Sequence, residues 1–418
     1  MRKVPILVFL TTFILLFSSV SMVNGAFTWS TPVKVSTDPV TVQTINRSPS
    51  LAVDSNGVVH IAWGSTDSKE YTSEIWYANN ATGTFTPTQI TSNSISDGNP
   101  SLALDSQGNV HIVWEGNYTA GNERDIYYIN NVGGTFGSII TLLDDDYDEQ
   151  YPQIAIDSNN KVHLVWQYDH GTTDTRYATN ATAAFDSFMI MNVTDNDVAD
   201  DYPTIAIDSN DVIHIAWSER VGFFYEVLYG NSSNPFPITN PVNVSQNSYD
   251  DTYPSIDVDS KDKVHIAWKF DDFMADSEIV YSNNIGGTFS SYEFVTINSI
   301  GDHSPSLVID NNGDAHILWN GALHWEIWYA NNTDGVFATP QNVSRSSNSD
   351  KYPDLFIDSE GFLHAVWYTV GYGVYYCSTL DKVVISPPVS EFGIAAVLMI
   401  ALISSLSLLI VYRKKRKL

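Results

Sequence analysis

Hydrophobic and polar positions alternate in a unit that recurs along almost the whole chain. Each unit reads Pro-x-aliphatic-x-aliphatic-Asp, then a short polar turn, then aliphatic-His-aliphatic-small-Trp. A fixed period of about 50 residues is typical of an array of one supersecondary unit. The units start at Pro49, Pro100, Pro152, Pro203, Pro254, Pro305 and Pro353.

Each complete unit contains four runs whose alternation and β-branched or aromatic composition predict short strands. In the first unit these runs are 49–54, 58–63, 74–78 and 85–91, and the turn Ser55-Asn56-Gly57 joins the first two. No segment between the two ends of the chain has helical periodicity. Four antiparallel strands in each of seven units predict an all-β fold, a seven-bladed β-propeller. Kelch repeats have a similar period, but their Gly-Gly signature is absent from the matching positions.

The second run of each unit has two unlike faces. In Val59-His60-Ile61-Ala62-Trp63, the bulky Val, Ile and Trp share one face, and His and Ala share the other. Blades stack face to face, so a bulky face needs a small residue opposite. We therefore expect each tryptophan to be buried against the next blade. The smaller residues are Ala62, Val113, Val165, Ala216, Ala267, Leu318 and Val366.

The last unit lacks a fourth run, and the missing strand is predicted at the other end of the chain. Residues 26–36 match the fourth run of other units, such as 335–344. We predict that 26–36 pairs into the last blade, so that the propeller spans 26–380. Such pairing removes an open sheet edge.

Both ends of the chain predict a membrane-anchored surface protein. Residues 1–25 combine a basic start, an apolar run and small residues before Ala26, as in a signal peptide; an uncleaved N-terminal anchor is the alternative. Residues 381–393 form a linker, and the uncharged segment 394–412 is long enough for one transmembrane helix. The basic tail 413–418 should remain cytoplasmic. The propeller is then on the extracellular side of the cell membrane.

The C-terminal region resembles prokaryotic surface-sorting tails, which combine a short motif, an apolar helix and a basic cluster. Ser390-Glu391-Phe392-Gly393 is similar to the Pro-Glu-Phe type found in archaea, with Ser390 in place of the proline. The resemblance implies a surface-sorted protein, and a plain membrane anchor is the alternative.

The chain carries a net charge of −28, which disfavours nucleic acid as a partner because phosphate backbones are repelled. It suits divalent cations or a cationic ligand, or it simply keeps the protein soluble. Cys377 is the single cysteine, so no intrachain disulfide forms.

One aspartate, one histidine and one tryptophan recur at fixed positions in every unit. One histidine per blade, spread around a ring, cannot converge on a metal ion. We predict that these residues form a structural clamp, in which the aspartate and the histidine satisfy each other or nearby backbone groups. They are Asp54, His60, Trp63, Asp105, His111, Trp114, Asp157, His163, Trp166, Asp208, His214, Trp217, Asp259, His265, Trp268, Asp310, His316, Trp319, Asp358, His364 and Trp367.

Acidic loops precede several units and are candidates for calcium, because clustered carboxylates supply the oxygen ligands that Ca²⁺ prefers. No run has EF-hand spacing, and a solvated acidic rim is the alternative. The candidate ligands are Asp144, Asp146, Asp148, Asp200, Asp201, Asp250 and Asp251. Aromatic residues of the same region could stack on sugars: Tyr147, Tyr151, Tyr202, Tyr249 and Tyr253.

Glycosylation sequons of the Asn-x-Ser/Thr type suit an exported protein. They lie at Asn46, Asn80, Asn117, Asn180, Asn192, Asn231, Asn243, Asn331 and Asn342.

A turn motif between the third and fourth runs resembles the Asp-box (BNR) repeats of sialidase-type propellers. Residues 79–85 read Asn-Asn-Ala-Thr-Gly-Thr-Phe, similar to Ser-x-Asp-x-Gly-x-Thr-Trp, and 331–337 keep an aspartate at Asp334. The resemblance implies a glycoside hydrolase that holds a sugar carboxylate with arginines. Its first arginine corresponds to Arg47, in Arg47-Ser48-Pro49.

These observations favour a cell-surface module that binds a glycan or a surface protein, without catalysis. A sialidase-like exo-glycoside hydrolase and a structural component of the cell envelope are the alternatives. Calcium is a candidate cofactor, and no other cofactor is indicated.

Overall fold

The computed structural model describes residues 26–37, 48–66, 72–117, 123–143, 146–180, 187–272, 276–321 and 325–383. Within these residues the protein is all-β and contains seven four-stranded antiparallel sheets. The predicted seven-bladed propeller is therefore confirmed. None of the described residues belongs to a helix that could cross a membrane. The predicted signal peptide, transmembrane helix and basic tail lie outside the described residues.

Each blade runs from an innermost first strand to a short outer fourth strand. Blade 1 consists of β2 (Ser50–Val53), β3 (Val59–Thr66), β4 (Ser73–Asn79) and β5 (Thr88–Gln89). Blade 2 consists of β6 (Ser96–Leu104), β7 (Val110–Asn117), β8 (Arg124–Asn130) and β9 (Ile140–Thr141). Blade 3 consists of β10 (Asp148–Ile156), β11 (Val162–Asp169), β12 (Thr173–Asn180) and β13 (Phe188–Asn192). Blade 4 consists of β14 (Asp200–Ile207), β15 (Ile213–Val221), β16 (Phe224–Asn231) and β17 (Val242–Asn243).

The remaining blades follow the same plan. Blade 5 consists of β18 (Asp250–Val258), β19 (Val264–Asp271), β20 (Glu278–Asn283) and β21 (Glu293–Phe294). Blade 6 consists of β22 (Asp302–Ile309), β23 (Ala315–Gly321), β24 (Glu326–Asn331) and β25 (Gln341–Asn342). Blade 7 consists of β26 (Asp350–Ile357), β27 (Leu363–Thr369), β28 (Gly373–Ser378) and β1 (Val33–Lys34).

The first strands of consecutive blades are neighbours, and β26 contacts β2, so the blades form a closed ring. At the closure, the Leu51 backbone N–H donates to the Asp354 carboxylate over 2.8 Å. We call the face at which the first strands begin the upper face. The lower face carries the turns between first and second strands.

The N-terminal segment supplies the fourth strand of blade 7. Val33 pairs with Tyr376 and Lys34 with Tyr375, and Trp29 forms a further bridge with Thr379. Phe27 and Trp29 are buried in the core cluster between blades 6 and 7. The two ends of the propeller are thus held in one sheet.

Tryptophans fill the spaces between blades, but on the side opposite to our expectation. Trp114 of blade 2 packs with Ala62 of blade 1, and Trp166 of blade 3 packs with Val113 of blade 2. Each tryptophan therefore lies on the small residue of the preceding blade, not of the next. The strand pattern shows that the faces differ, but it does not show which neighbour each face meets.

Replacing one of these tryptophans should be costly. Trp217 is completely buried, so Trp217→Ala should lower the free energy of unfolding by about 3–5 kcal/mol. Phe223, in the same blade and 89% exposed, is the matched control, and Phe223→Ala should change stability by less than about 0.5 kcal/mol. Chemical denaturation of the three proteins measures both values. Equal effects of the two substitutions would contradict this packing.

The Asp-His pairs lie in a hydrogen-bond network that continues into the third strand. In blade 1, Asp54 accepts from the backbone N–H groups of Asn56 and Val58, and His60 Nδ1 lies 2.6 Å from the Tyr77 hydroxyl. Across the seven blades the histidine Nε2 lies 3.1–4.0 Å from the aspartate. Burial lowers the pKa of His60, and the neighbouring aspartate opposes this. The histidine ring therefore bonds the third-strand tyrosine and lies beside the turn aspartate, and in blade 7 His364 also hydrogen-bonds Asp358 over 3.1 Å.

The tyrosines of this network also connect the blades. Phe136 of blade 2 packs edge-on against Tyr77 of blade 1, with ring centroids 5.2 Å apart. A Phe–Tyr ring contact recurs at every blade boundary, tilted for Phe236 on Tyr177 and edge-on elsewhere, including Phe27 of the N-terminal segment against Tyr329 at 6.1 Å. The Thr-Phe end of the turn motif thus has a packing role.

Candidate functional site

A cavity of about 920 Å³ lies among the first strands of all seven blades. Its wall includes serine hydroxyls that accept from the first strand of the following blade, such as Ser50 from Leu102 N–H over 3.1 Å. Concave sites with a few convergent polar groups are where small ligands usually bind. The cavity is therefore the first place to look for a ligand site.

The residue just before the repeated proline lines this cavity in every blade. These residues are Ser48, Asn99, Tyr151, Tyr202, Tyr253, Ser304 and Tyr352. From Asn99 onward they have left-handed backbone, with φ between 46° and 55°. Each also lies at a β-bulge, where the register of the first and second strands shifts.

Such a conformation is unfavourable for a residue with a side chain. A left-handed non-glycine residue costs of order 1–3 kcal/mol, and strain of this kind concentrates at functional sites. Bulges also re-aim side chains beside active and binding sites. Here the strained position lies near the start of the first strand, toward the upper face, and directs a side chain to the cavity.

Tyrosines occupy this position in blades 3, 4, 5 and 7, and we call them the tyrosine arc (Tyr151, Tyr202, Tyr253 and Tyr352). The Tyr202 and Tyr253 rings are stacked with centroids 4.0 Å apart, and Tyr151 is tilted against Tyr202 at 4.9 Å. The Tyr253 hydroxyl donates to the Tyr202 hydroxyl over 3.1 Å. Tyr253 and Tyr352 are 38% and 40% exposed, so the arc is accessible from solvent.

A polar group borders the arc on the blade 2 side. Glu115 is buried and accepts from the Tyr151 backbone N–H over 2.8 Å and from the Asn99 amide over 2.9 Å. Burial raises the pKa of Glu115, although the Tyr151 hydrogen bond and the Arg124 charge oppose the rise. Arg124 lines the cavity and lies 3.8 Å from Glu115 and 3.5 Å from Asp148. Glu115 thus positions the first tyrosine of the arc.

Two of the predicted stacking tyrosines lie elsewhere. Tyr147 packs against Tyr168 with centroids 5.2 Å apart, and Tyr249 packs against Phe270 at 5.0 Å. Neither lines the cavity. Tyr352 was not among the sequence candidates, although its place before a repeat proline could have identified it.

The arginine predicted to hold a carboxylate, Arg47, lies outside the described residues. Of the arginines that the structure describes, Arg124 alone lines the cavity. The Arg176 guanidinium instead lies 3.2 Å from the Tyr168 ring centroid, and Arg220 and Arg345 are exposed. The described part of the chain therefore brings no arginine triad to the cavity.

The calcium candidates are distributed over blades 3, 4 and 5, and Asp144 lies outside the described residues. Asp148 and Asp250 accept from the backbone N–H groups of Arg124 and Tyr225, and Asp201 accepts from the Thr173 hydroxyl. Asp146 is exposed. In the described ranges no group of three or more His, Cys, Asp or Glu side chains could hold a metal ion. Calcium binding therefore remains a prediction from the sequence.

Asp200 and Asp251 belong instead to a set of buried acids, one at the start of the first strand of blades 2 to 7. Asp251 accepts from the Trp268 indole over 2.6 Å and from the Asn247 amide over 2.7 Å. Burial raises the pKa of Asp251 to about 7 and that of Asp200 to about 8. The set comprises Asp97, Glu149, Asp200, Asp251, Asp302 and Asp350.

Two predicted glycosylation sites are buried in the folded propeller. Asn180 is 2% exposed and accepts from the Val162 N–H, while Asn331 is 1% exposed and accepts from the Thr333 hydroxyl. A glycan cannot be accommodated on a buried amide. These two asparagines instead accept hydrogen bonds at the ends of their strands. Asn46 lies outside the described residues, and the other six sites are partly exposed.

No protein-family profile and no curated protein sequence matches this chain. Solved structures do resemble it in fold. An ulvan lyase, a polysaccharide lyase solved with -[GlcA(1-4)Rha3S]-, is 13% identical with a TM-score of 0.58 and covers 84% of this chain and 94% of its own. The α-L-arabinanase of Penicillium chrysogenum with arabinobiose is 11% identical, with a TM-score of 0.55 and coverage of 85% and 98%.

The virginiamycin B lyase of Staphylococcus aureus is also similar, at 11% identity, a TM-score of 0.51 and coverage of 85% of this chain and 100% of its own. At such identities the likeness extends to the fold alone, and one fold hosts many unrelated functions. The chain shares its propeller architecture with enzymes that act on glycans and with one named for a different substrate.

Proposed function

We propose that this protein is a binding module that holds a glycan at the cavity, on the tyrosine arc. The observation that carries the proposal is the repeated left-handed bulge, which places four tyrosines on one cavity at a cost in backbone strain. Tyrosine offers an apolar ring face and a hydroxyl, which suits the mixed surface of a sugar. Glycans bound by proteins of similar fold are consistent with this choice.

Removing the two central tyrosines of the arc should weaken binding without unfolding the protein. A glycan array probed with the full chain should identify a ligand, and Tyr202→Ala with Tyr253→Ala should weaken its binding by at least about tenfold, because central aromatic contacts dominate recognition. Calorimetric titration measures the loss. Phe223→Ala, on the same blade as Tyr202 but away from the cavity, is the matched control and should bind normally.

Two results would contradict the proposal. One is unchanged affinity of the double variant for every glycan that the wild type binds. The other is turnover of a fluorogenic sialoside that is lost in Arg47→Ala, which would favour the sialidase-like alternative. Absence of any ligand on glycan or protein arrays would favour a structural envelope component.

We also propose that the propeller is exported and anchored at the extracellular side of the cell membrane. Support comes from the sequence of residues 1–25, 394–412 and 413–418. Protease treatment of intact cells should release the propeller while a cytoplasmic control protein survives. A propeller that is protected until the cells are lysed would contradict this location.

A further inference from the structure

Two basic side chains, from blades 6 and 7, contact one tryptophan, and a third comes from the neighbouring strand of blade 5. His303 stacks on Trp325 with ring centroids 5.7 Å apart and an interplanar angle of 19°. The Lys351 Nζ lies 4.3 Å from the centroid of the same ring. Burial lowers the pKa of His303, and the charges of Lys269 of blade 5 and of Lys351 act in the same direction, while the charge of Asp271 opposes them. We call Lys269, His303, Trp325 and Lys351 the basic patch.

The basic patch borders the tyrosine arc at its one gap. His303 immediately precedes Ser304, and Lys351 immediately precedes Tyr352, both of which line the cavity. Ser304 occupies the place of a tyrosine, between Tyr253 and Tyr352 along the ring. The serine side chain is smaller than the tyrosines on either side of it along the ring.

The residue after the second-strand tryptophan is a hydrogen-bond acceptor in blades 2 and 3 but a donor in blade 5. The residue after the tryptophan of the second strand is Glu115 in blade 2 and Gln167 in blade 3. Each accepts from the backbone N–H of the next bulge, Glu115 from Tyr151 over 2.8 Å and Gln167 from Tyr202 over 3.4 Å.

In blade 5 the same position is Lys269, which can only donate. The Lys269 ammonium donates to Asp271 over 3.1 Å, so this blade boundary carries an ammonium where the other two place an oxygen acceptor. Lys269 and Lys351 thus add two ammonium groups at this boundary, and Asp271 pairs with the first of them. Such an arrangement suits an anionic ligand group.

The electrostatic setting makes the patch unusual for this protein. The chain has a net charge of −28, with 48 acidic and 20 basic residues. Asp271 lies 3.1 Å from Lys269 and offsets part of its charge, and the Asp271 side chain is 31% exposed. Lys351 is held over the indole face of Trp325 and is followed in sequence by the cavity-lining Tyr352.

We propose that the basic patch binds the anionic group of an acidic glycan, a carboxylate or a sulfate ester, while an adjoining sugar lies on the tyrosine arc. This inference rests on the proposed function, because it names the class of glycan that the same site would take. The patch then sets specificity, and the arc supplies contact area.

The test uses three tetrasaccharide probes and the full chain. Tetragalacturonate carries carboxylates, a sulfated galactotetraose carries sulfate esters, and galactotetraose is neutral. We expect an acidic probe to bind at least about tenfold more tightly than the neutral one. Lys269→Gln with Lys351→Gln should remove that difference and leave neutral binding unchanged. Lys261→Gln, in an exposed lower-face turn, is the matched control and should have no effect.

A second measurement needs no variant. Raising NaCl from about 50 mM to about 500 mM should weaken binding of the acidic probe and leave the neutral probe unaffected, because salt screens exposed charges. The identity of the preferred acidic probe distinguishes carboxylate from sulfate recognition.

The outcomes separate this inference from the proposed function. Equal binding of acidic and neutral probes, without salt dependence, would overturn the inference and leave glycan binding intact. Acidic preference that survives in the double lysine variant would also overturn it. Failure of all three probes together with an empty glycan array would overturn both proposals.

Discussion

A chain in which Phe27 and Trp29 are both replaced by alanine should unfold at a temperature at least about 10 °C lower than the wild type. Both side chains are buried between blades 6 and 7, and truncating a buried aromatic residue costs about 3–5 kcal/mol. Trp29 packs on Tyr329 with centroids 5.3 Å apart. The loss of stability should exceed that of a single core substitution, because the double substitution weakens the ring where the two ends of the propeller meet.

Backbone pairing adds to this effect, so deletion of residues 26–36 should lower the melting temperature further. Val35 N–H donates to Val374 O, and Ser30 N–H donates to Ser378 O, each over 2.8 Å. Without the segment, β28 becomes an exposed edge. Val33→Ala, at a 48% exposed position of the same segment, is the matched control and should melt like the wild type. An unchanged melting temperature after the deletion would contradict closure.

The second large effect is a loss of stability between pH 6.5 and pH 8. Burial raises the pKa of Asp97 and Asp302 to about 6, of Asp251 to about 7 and of Asp200 to about 8. In the unfolded chain these groups ionise near pH 4. The stability that they contribute is complete below about pH 4 and is lost as the pH rises through the folded-state values.

The clamp histidines have the opposite effect. Burial lowers the pKa of His111, His163 and His265. Below about pH 6.5 the unfolded chain binds protons at these residues that the folded protein does not, so stability falls as the pH decreases. The two trends offset each other between about pH 4 and 6.5, and the carboxyl trend acts alone above that range.

Thermal unfolding at constant ionic strength should therefore show a maximum at mildly acidic pH and a fall above pH 6.5. We expect a loss of about 2–3 kcal/mol, or roughly 5 °C, from pH 6.5 to pH 8. Asp200→Asn should reduce this fall, and Asp195→Asn, at an exposed position, should not. A melting temperature that is constant or rises from pH 6.5 to pH 8 would contradict the burial of these acids.

Repetition made the architecture predictable. Seven matching units indicated seven blades, and the match between residues 26–36 and the fourth run of other units indicated where the missing strand lay. The direction of tryptophan packing was wrong because alternation along a strand defines two faces but not the order of the neighbours. That order depends on the sense in which the ring is assembled.

The candidate site was only partly predictable. Tyr151, Tyr202 and Tyr253 were identified among aromatic residues of one region, together with Tyr147 and Tyr249, which pack away from the cavity. A bulge shifts the register, so simple alternation does not show which of two nearby tyrosines faces inward. Two of the buried acids, Asp200 and Asp251, were among the calcium candidates because composition does not reveal that they are buried.

Amide hydrogen exchange of the full chain, with and without its glycan ligand, tests the central claim most directly. If the glycan lies on the tyrosine arc, binding should slow exchange at the bulges near residues 150–154, 201–205 and 252–256, on the cavity side of the first strands. Protection confined to lower-face turns, such as residues 54–58 and 105–109, would place the ligand elsewhere and contradict the account.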